Sequence, residues 1–210
     1  MRKLIVLTFV TLDGVMQAPG GPEEDSSGGF KYGGWSMPLF DDAVGRAMGE
    51  QMSHPFDLLL GRKTYDIFAS FWPKATDPTG DAINRATKYV VTHRPVSTDW
   101  KKTVPVDGDV VAKIKKLKQD GPELQAHGSS NLIQTLLKND LVDELWLKIY
   151  PVTLGTGKRL FGEGTKPAGF RVLKSNVSPN GVIVASYGRA GDVKLGTVEL
   201  TASGEQVIRS

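Results

Sequence analysis

The 210-residue chain contains no cysteine and only three histidines. Without cysteine it can form neither a disulfide framework nor a thiolate metal site. His54, His93 and His127 are far apart in sequence and lack a partner at ligand spacing, so we predict no metal site. Redox chemistry would therefore require a bound cofactor. The absence of cysteine agrees with a reducing cytoplasm, which is the location we expect.

The chain also lacks a long apolar run. The N-terminal segment MRKLIVLTFVTLDG could suggest a signal peptide, but its apolar run ends at Val10 after about seven residues, and Asp13 follows without a small-residue cleavage site. A buried first strand from Lys3 to Phe9 is the better interpretation. No segment approaches the roughly 20 apolar residues of a membrane helix, so we predict a soluble protein without a membrane partner.

The excess of positive charge is small, with a formal net charge of +3. The basic residues are dispersed except for Lys113, Lys115, Lys116 and Lys118, which alternate with apolar residues as the solvated face of a helix does. No aromatic residue lies between Lys101 and Lys118. We therefore expect no nucleic-acid partner. A basic nucleic-acid-binding domain stays a minor hypothesis, which salt-sensitive affinity for DNA or RNA would support.

Strand-like and helix-like segments alternate along the chain. A helix is predicted to begin at Pro38, with Ser36 as its cap, and to continue to Met52. Glycine-led turns then follow the strands Asp57–Leu60 and Glu123–Ala126, and each turn opens a helix. The other predicted elements are a short helix at 81–86, strands at 88–92 and 144–150, a helix at 110–118, and two strands joined at Asn180-Gly181 within 170–187.

This order predicts a single α/β domain over residues 1–210. Its core spans about 3–187 and its C-terminal extension 188–210. The expected architecture is a mostly parallel central sheet with helices on both faces and an antiparallel C-terminal hairpin. The loop from Thr11 to Gly34 is long and glycine-rich, and it contains Phe30 and Tyr32 shortly before Trp35, so we interpret it as a lid.

Three predicted strands end in polar segments, namely GRKT at 61–64, THR at 92–94 and HGSSN at 127–131. Ligands bind at the carboxyl ends of strands in such sheets. Helix N-termini offer free N–H groups to anions, and glycine lets the backbone approach them closely. Each segment alone also fits a helix cap or a solvated charged pair. Their occurrence at three strand ends of one sheet favours a phosphate-binding site.

Five segments of the chain resemble, in order, the pyrimidine reductase domain of riboflavin biosynthesis and its dihydrofolate-reductase-like relatives. They are LTFVTLDGVM, LLLGRKTYD with a following FWP, KYVVTHRP, ELQAHGSSNLIQTLL and LVDELWLKIYPVTLGTGKRLF. The resemblance implies the dihydrofolate-reductase-like fold, a homodimer and NADPH as hydride donor. The cofactor-binding residues that it implies are Phe9, Val10 and Thr11 beside the nicotinamide; Gly61, Arg62, Lys63, Thr64, Gly128, Ser129, Ser130, Asn131 and Leu132 at the phosphates; and Thr92, His93 and Arg94 around the 2′-phosphate.

Candidate catalytic residues are Asp41 and Asp42. Dihydrofolate reductases use a helix carboxylate to arrange protonation, and the resemblance places it about sixteen residues before the Gly-Arg turn. Val44 and Gly45 occupy that stretch here. Asp41 and Asp42 lie about one helical turn earlier, and both also fit simple helix-start chemistry. Between them we prefer Asp42.

Candidate substrate-binding residues are Asp13, Trp35 and Tyr150. Asp13 matches the aspartate of the family's Leu-Asp-Gly segment, although an Asp-Gly turn that closes the first strand also explains it. Trp35 and Tyr150 fit two interpretations, either stacking on a flat heterocycle or packing in the core.

The leading hypothesis is an NADPH-dependent reductase of a planar pyrimidine- or pterin-like heterocycle, similar to 5-amino-6-(5-phosphoribosylamino)uracil reductase. The alternatives are a dihydrofolate reductase proper and an NADPH-binding regulatory module with little catalysis. The deaminase domain that often accompanies the riboflavin reductase is missing, the expected acid is displaced, and the insert at 17–34 is long. The substrate therefore stays open.

Overall fold

The computed structural model describes residues 1–209. Its strands are β1 (Leu4–Thr11), β2 (Phe56–Gly61), β3 (Lys88–Val91), β4 (Thr103–Val106), β5 (Glu123–Gly128), β6 (Glu144–Tyr150), β7 (Phe170–Val177), β8 (Ile183–Arg189), β9 (Thr197–Leu200) and β10 (Gln206–Arg209). Its α-helices are α1 (Asp42–Gln51), α2 (Arg62–Phe71), α3 (Pro78–Arg85), α4 (Val110–Leu117) and α5 (Ser130–Lys138). Within residues 1–209, no helix is long and apolar enough to cross a membrane.

Eight strands form the central sheet, in the order β4-β3-β2-β5-β1-β6-β8-β7. The pairs from β4 to β6 are parallel, whereas β8 runs antiparallel to both β6 and β7. β9 and β10 form a separate antiparallel hairpin. The predicted α/β class, with a mostly parallel sheet and an antiparallel end, is confirmed.

The central strands are apolar on both faces, and this explains why helices cover both. Leu59 of β2 packs with Ile114 of α4 and Ile133 of α5. Its neighbours Leu58 and Leu60 pack instead with residues of α2 and α3. Successive strand side chains point to opposite faces, so α4 and α5 lie on one face and α2 and α3 on the other. Each fully buried leucine contributes about 1.5–3 kcal/mol.

The predicted start of the first helix is wrong. Met37–Leu39 form a separate 3₁₀ turn, and α1 begins only at Asp42. Asp41 is extended (φ −132°, ψ 174°), and its carboxylate accepts the N–H of Val44 at 3.0 Å. Asp41 is therefore the N-cap, because its side chain satisfies a free donor of the first turn. The hydroxyl of Ser36, the predicted cap, donates to the carbonyl of Pro19.

The edge strand β4 was missed by the sequence analysis. It pairs only with β3, at the outer edge of the sheet. Pro105 lies inside it and two lysines precede it, which breaks the usual strand pattern. An edge strand tolerates proline because one side of its backbone needs no partner strand.

Candidate functional site

A cavity of about 620 Å³ opens at the carboxyl ends of β1 and β5. Leu7, Thr8 and Phe9 of β1 line it, together with His127 and Gly128 of β5. The remaining walls come from the loop at 16–25, from α1, α2, α3 and the turn after α2, from the start of α5, and from Lys158. Cavities of this volume hold small molecules and cofactors in many proteins.

At one end of the cavity, α2 and α5 begin without a capping side chain. Their N-cap residues, Gly61 and Ser129, make no side-chain capping hydrogen bond, and neither helix has an acidic residue in its first turn. The other three α-helices are each capped by an aspartate: Asp41, Asp77 and Asp109. The free N–H groups and positive dipole ends of α2 and α5 are therefore available to an anion.

The two uncapped helix starts are packed tightly against each other. A Cβ atom added to Gly128 would lie 2.5 Å from Oγ1 of Thr64, and one added to Gly61 would collide with Oγ of Ser129. The Gly128–Ser129 peptide bond is cis. Only glycine fits at both positions, because any side chain would push the two turns apart.

Asp25 of the loop reaches this end of the cavity and binds two lysines. Oδ1 of Asp25 pairs with Lys63 at the start of α2, and Oδ2 lies 2.7 Å from Nζ of Lys158. Burial raises the pKa of Asp25, but the hydrogen bonds from Lys158 and Lys63 lower it by more, so the net pKa is well below its usual range. We call this region, with Lys63, Lys158 and the starts of α2 and α5, the polar end.

Gln17 and Trp35 anchor the loop that carries Asp25. The side-chain amide of Gln17 donates to the carbonyls of Asp25 and Ser27, each at 2.9 Å, and accepts the N–H of Lys158. The indole of Trp35 donates to the carbonyl of Gln17 at 2.7 Å. The loop is thus hydrogen-bonded to the residues around Lys158, and residues 17–25 form one wall of the cavity. Its role as a lid stays a prediction.

A second part of the cavity lining consists of apolar side chains. Most of these side chains pack into one hydrophobic cluster with residues of β2 and β3. The residues of this apolar compartment come from α1, α2, α3 and the turn after α2: Met48, Met52, Ile67, Phe68, Phe71, Trp72 and Ile83.

His127 lines the cavity and packs edge-on against Phe68, with 5.8 Å between the ring centres. Its Nε2 lies 3.2 Å from Oε1 of Gln125. The amide nitrogen of Gln125 already donates to Gln51 and Glu123, so Oε1 must accept and Nε2 must carry the proton. Burial, together with the charge of Lys148, lowers the pKa of His127 to about 3, so the ring is neutral at pH 7.

Lys148 lies behind the cavity wall and is fully buried. Its ammonium binds Oε1 of Gln51 and lies 6.0 Å from the ring centre of Phe9. Burial lowers the pKa of Lys148 to about 7. Because its partner is an amide and not a carboxylate, this buried cation is only partly compensated.

Six of the predicted cofactor residues line the cavity. They are Phe9, Lys63, Thr64, Gly128, Ser129 and Ser130. Gly61 does not line the cavity but packs directly against Ser129. Val10 and Leu132 are buried in the main hydrophobic core, and neither they nor Thr11 and Asn131 line the cavity. The assignment of all these residues to a cofactor stays a prediction.

None of the residues predicted at the 2′-phosphate lines the cavity, and Thr92 is buried. His93 and Arg94 are exposed, and the hydroxyl of Thr92 bonds the backbone of Arg94. Arg62, the neighbour of Lys63, donates to the carbonyl of Pro95 at 2.5 Å. The structure therefore brings Arg62 and the segment 92–95 together beside the start of α2.

The predicted aspartates do not line the cavity. Asp42 is exposed at the first position of α1. Asp41 caps α1, and its second oxygen accepts the N–H of Asn180 at 3.1 Å. Asp13 accepts the N–H groups of Leu154 and Gly155, which joins the turn after β1 to the loop after β6.

Trp35 and Tyr150 pack against each other inside a hydrophobic cluster, and neither lines the cavity. Their ring centres are 5.4 Å apart and their planes nearly perpendicular. The hydroxyl of Tyr150 is buried and has no hydrogen-bond partner within residues 1–209. Ser36 is near enough to lower the pKa slightly, but burial dominates and raises the pKa of Tyr150 to about 12. Both residues occupy core positions in this structure.

Several polar residues of the site were not predicted, among them Gln17, Asp25, His127 and Lys158. His127 and Lys158 lie inside segments that carried the family resemblance, so their positions beside Gly128 and in GTGKRLF were available signals. Gln17 and Asp25 lie in an irregular loop, where no periodicity indicates which side chains point inward.

Together, the fold and the cavity define an α/β protein with a cavity at the carboxyl edge of its parallel sheet, bordered by two uncapped helix starts. The sequence profile of the RibD C-terminal domain matches residues 2–184. The chain belongs to this family.

Two Bacillus subtilis (strain 168) proteins without a known function are among its relatives. YyaP is 26% identical over 192 residues, which cover 89% of this chain and 94% of YyaP. YwjB is 30% identical over 172 residues, which cover 81% of this chain and 89% of YwjB. Nearly the whole chain is thus shared with both.

Three solved structures are similar in fold. A Shewanella sp. PV-4 protein whose name places it in riboflavin biosynthesis is 26% identical, covers 90% of this chain and 99% of its own, and has a TM-score of 0.70. A pyrimidine reductase-like protein of Corynebacterium diphtheriae (12% identity, 91% and 93% coverage) and the Enterococcus faecalis dihydrofolate reductase in complex with NADP(H) (14%, 89% and 96%) each have a TM-score of 0.57. The dihydrofolate-reductase-like fold is therefore confirmed.

Proposed function

We propose that this protein is an NADPH-dependent reductase of a planar heterocycle. One observation carries the proposal: the uncapped N-termini of α2 and α5 face a single cavity, and Lys63 and Lys158 flank them. Two helix N-termini and two ammonium groups at one point suit a pyrophosphate. Membership of a reductase family supports the same function.

The residues present fit this cofactor at three places. The starts of α2 and α5 would hold the pyrophosphate, and the two glycines leave no side chain in the way. Phe9 would border the nicotinamide from β1. When bound, NADPH supplies the hydride. Arg62, His93 and Arg94 would hold the 2′-phosphate on the surface beside α2, where guanidinium groups can bind phosphate oxygens in pairs.

The position of the carboxylates suggests that water delivers the proton. Asp42 lies on the surface, and both oxygens of Asp41 bond backbone N–H groups. The acidic residues that do line the cavity, Glu23, Glu24 and Asp25, belong to the loop. Proton delivery by water needs none of them.

The sharpest test is a pair of dissociation constants, for NADPH and NADH, measured by fluorescence titration at fixed salt. We expect Arg94→Ala to weaken NADPH binding about tenfold to a hundredfold, since a charge-assisted hydrogen bond contributes about 1.5–3 kcal/mol. NADH binding should change little, because the cofactors differ only in the 2′-phosphate. Arg171→Ala is the matched control, because Arg171 is exposed on β7 at the far end of the sheet.

The same titrations, followed by turnover assays, distinguish the proposed reductase function from the alternative functions. Equal losses for both cofactors would show that Arg94 supports the fold and does not bind the 2′-phosphate. Tight NADPH binding without turnover of dihydrofolate, the ribosylamino-pyrimidine or any other heterocycle would favour a nucleotide-binding module. Failure of the wild type to bind NADPH would overturn the proposed function. We further propose a homodimer in the cytoplasm, as the resemblance to the riboflavin reductases implies.

A further inference from the structure

The apolar compartment offers no charge to a substrate. None of its seven residues, Met48, Met52, Ile67, Phe68, Phe71, Trp72 and Ile83, is ionisable. The charged residues that line the cavity all belong to the loop at 17–25 or to the polar end. Of these, Asp25 is paired with two lysines, and Glu24 accepts the N–H of Gly20 at 2.6 Å.

Neither of the two fully buried lysines, Lys88 and Lys148, lines the cavity, so neither is open to a ligand there. Lys148 is fully buried, its ammonium binds Gln51, and it does not line the cavity. A phosphate or carboxylate placed among the apolar side chains would lose its water and gain no partner, which is costly. A charged substrate is therefore disfavoured in this part of the cavity.

His127 supplies one directional polar contact in this region. Its Nε2–H is used by Gln125, so Nδ1 carries a lone pair. Nδ1 makes no hydrogen bond within residues 1–209, and the partly buried ring to which it belongs lines the cavity. A neutral imidazole held in this tautomer accepts a hydrogen bond and cannot donate one at Nδ1.

From these contacts we infer that the apolar compartment binds an uncharged, planar heterocycle that contains a C=N bond and presents an N–H to Nδ1 of His127. The inference rests on the proposed reductase function, and it excludes substrates whose recognition needs a phosphate or carboxylate in the compartment. Phe68 and Trp72 supply aromatic surfaces for such a ring.

The reaction on this substrate is a two-electron reduction of the C=N bond. The carbon gains a hydride and a new C–H bond, the π electron pair becomes a lone pair on nitrogen, and that nitrogen gains a proton from water. NADPH is oxidised to NADP⁺, and solvent neutralises the remaining hydroxide. His127 takes no part in the proton transfer, and it positions the ring.

Three related bicycles test the inference by calorimetric binding to the wild-type protein, with and without NADP⁺. The first is quinoxalinone, which is uncharged and carries both a C=N bond and an N–H. The second is its N-methyl derivative, and the third carries a carboxylate on the benzo ring. We expect the carboxylate to weaken binding by at least about thirtyfold. Loss of the N–H should weaken it about two- to tenfold.

Two variants locate the contacts. In His127→Phe, which keeps a ring against Phe68, quinoxalinone should bind no better than its N-methyl derivative, while the derivative itself keeps its affinity. Phe71→Asp should weaken both neutral bicycles, because it adds a charge to the compartment. Phe161→Asp is the control, since Phe161 is a similarly exposed phenylalanine that does not line this cavity.

The outcomes of this test do not depend on the NADPH titration. Equal or tighter binding of the carboxylated bicycle would overturn the inference, even if NADPH binds. So would the absence of any quinoxalinone binding up to its solubility limit. Selective binding of quinoxalinone by a protein that fails to bind NADPH would support the inference and contradict the proposed function.

Discussion

The α-helices of this protein begin in two different ways. α1, α3 and α4 each start at an aspartate whose carboxylate accepts backbone N–H groups. α2 and α5 start at a glycine and a serine that make no such bond, and the first turns of both helices line the cavity. An aspartate cap stabilises a helix but also occupies the donors that an anionic ligand would use. The comparison therefore separates helix starts that serve folding from those available for binding.

The largest effect is expected when the two uncapped helix starts are forced apart. Gly128→Val places a side chain against Thr64, where even a Cβ would lie 2.5 Å from Oγ1. We expect NADPH affinity to fall by at least about a hundredfold, or about 2.7 kcal/mol. Gly49→Ala is the control, because a Cβ there meets no atom within 4 Å. Circular dichroism checks that both variants fold, and unchanged NADPH affinity in a folded Gly128→Val would rule out a phosphate site at this turn.

A negative charge introduced at an uncapped helix start should raise the stability of the protein and weaken NADPH binding. Ser130→Asp places a carboxylate in the first turn of α5, which we expect to stabilise the protein by about 0.3–1 kcal/mol through the helix dipole. The same charge should repel the pyrophosphate and weaken NADPH binding about tenfold. Ser130→Asn is the neutral isostere and should show much smaller changes. Tighter NADPH binding by Ser130→Asp would contradict our interpretation of this helix start.

The opposite change, removal of a cap, should affect stability alone. Asp41→Ala is expected to lower Tm by about 2–4 °C and to leave NADPH affinity unchanged. The hydrogen bond from Val44 lowers the pKa of Asp41 below its usual 3.8. A carboxylate with a depressed pKa stabilises the fold above the unfolded-state value and loses this effect as the pH falls through the folded-state value. The Tm difference from wild type should therefore shrink below about pH 4.

Asp42→Asn is the variant to compare with Asp41→Ala, because Asp42 is adjacent to Asp41 but is exposed and does not cap the helix. Its Tm and turnover should both stay close to wild type. A marked loss of turnover without a loss of NADPH affinity would restore Asp42 as a catalytic residue and argue against water as the proton source.

The smallest change in NADPH affinity that we expect to measure concerns the anion already present at the polar end. Asp25 binds Lys63 and Lys158, the same cations that a phosphate would use. Asp25→Asn removes this competitor, and we expect NADPH binding to tighten about threefold. Glu23→Gln, a neutral substitution in the same loop, is the control. Weaker binding by Asp25→Asn alone would mean that Asp25 holds the two lysines in position for the cofactor.

Local sequence patterns predicted much of the fold because they depend on local physics. Apolar runs such as KLIVLTF predicted strands buried on both faces, and Asn180-Gly181 predicted the hairpin of β7 and β8. The sequence pattern did not predict the start of α1 correctly, because both serine and aspartate are good N-caps. In the structure it is Asp41, and not Ser36, that directly precedes and caps α1. The pattern also missed β4, whose pairing with β3 outweighs its proline.

The candidate site was predicted in part for a similar reason. GRKT and HGSSN follow strands directly, so their place at the carboxyl edge follows from the order of elements alone. Other features depend on contacts between residues far apart in the chain. Such contacts bury Trp35 and Tyr150, pair Asp25 with two lysines and form the apolar compartment. No local pattern records such contacts.

The sequence by itself determined the α/β class, the order of the elements, and the glycine-led turns that start α2 and α5, because these features arise from periodicity and from backbone conformations that few residues adopt. Only the tertiary structure decided which polar residues meet. In the structure Asp41 caps α1, whereas Asp42 is exposed to solvent. Asp25 pairs with both Lys63 and Lys158, and His127 lies beside the apolar compartment. The physical reason is that charge and hydrogen bonding act through space, whereas periodicity acts along the chain.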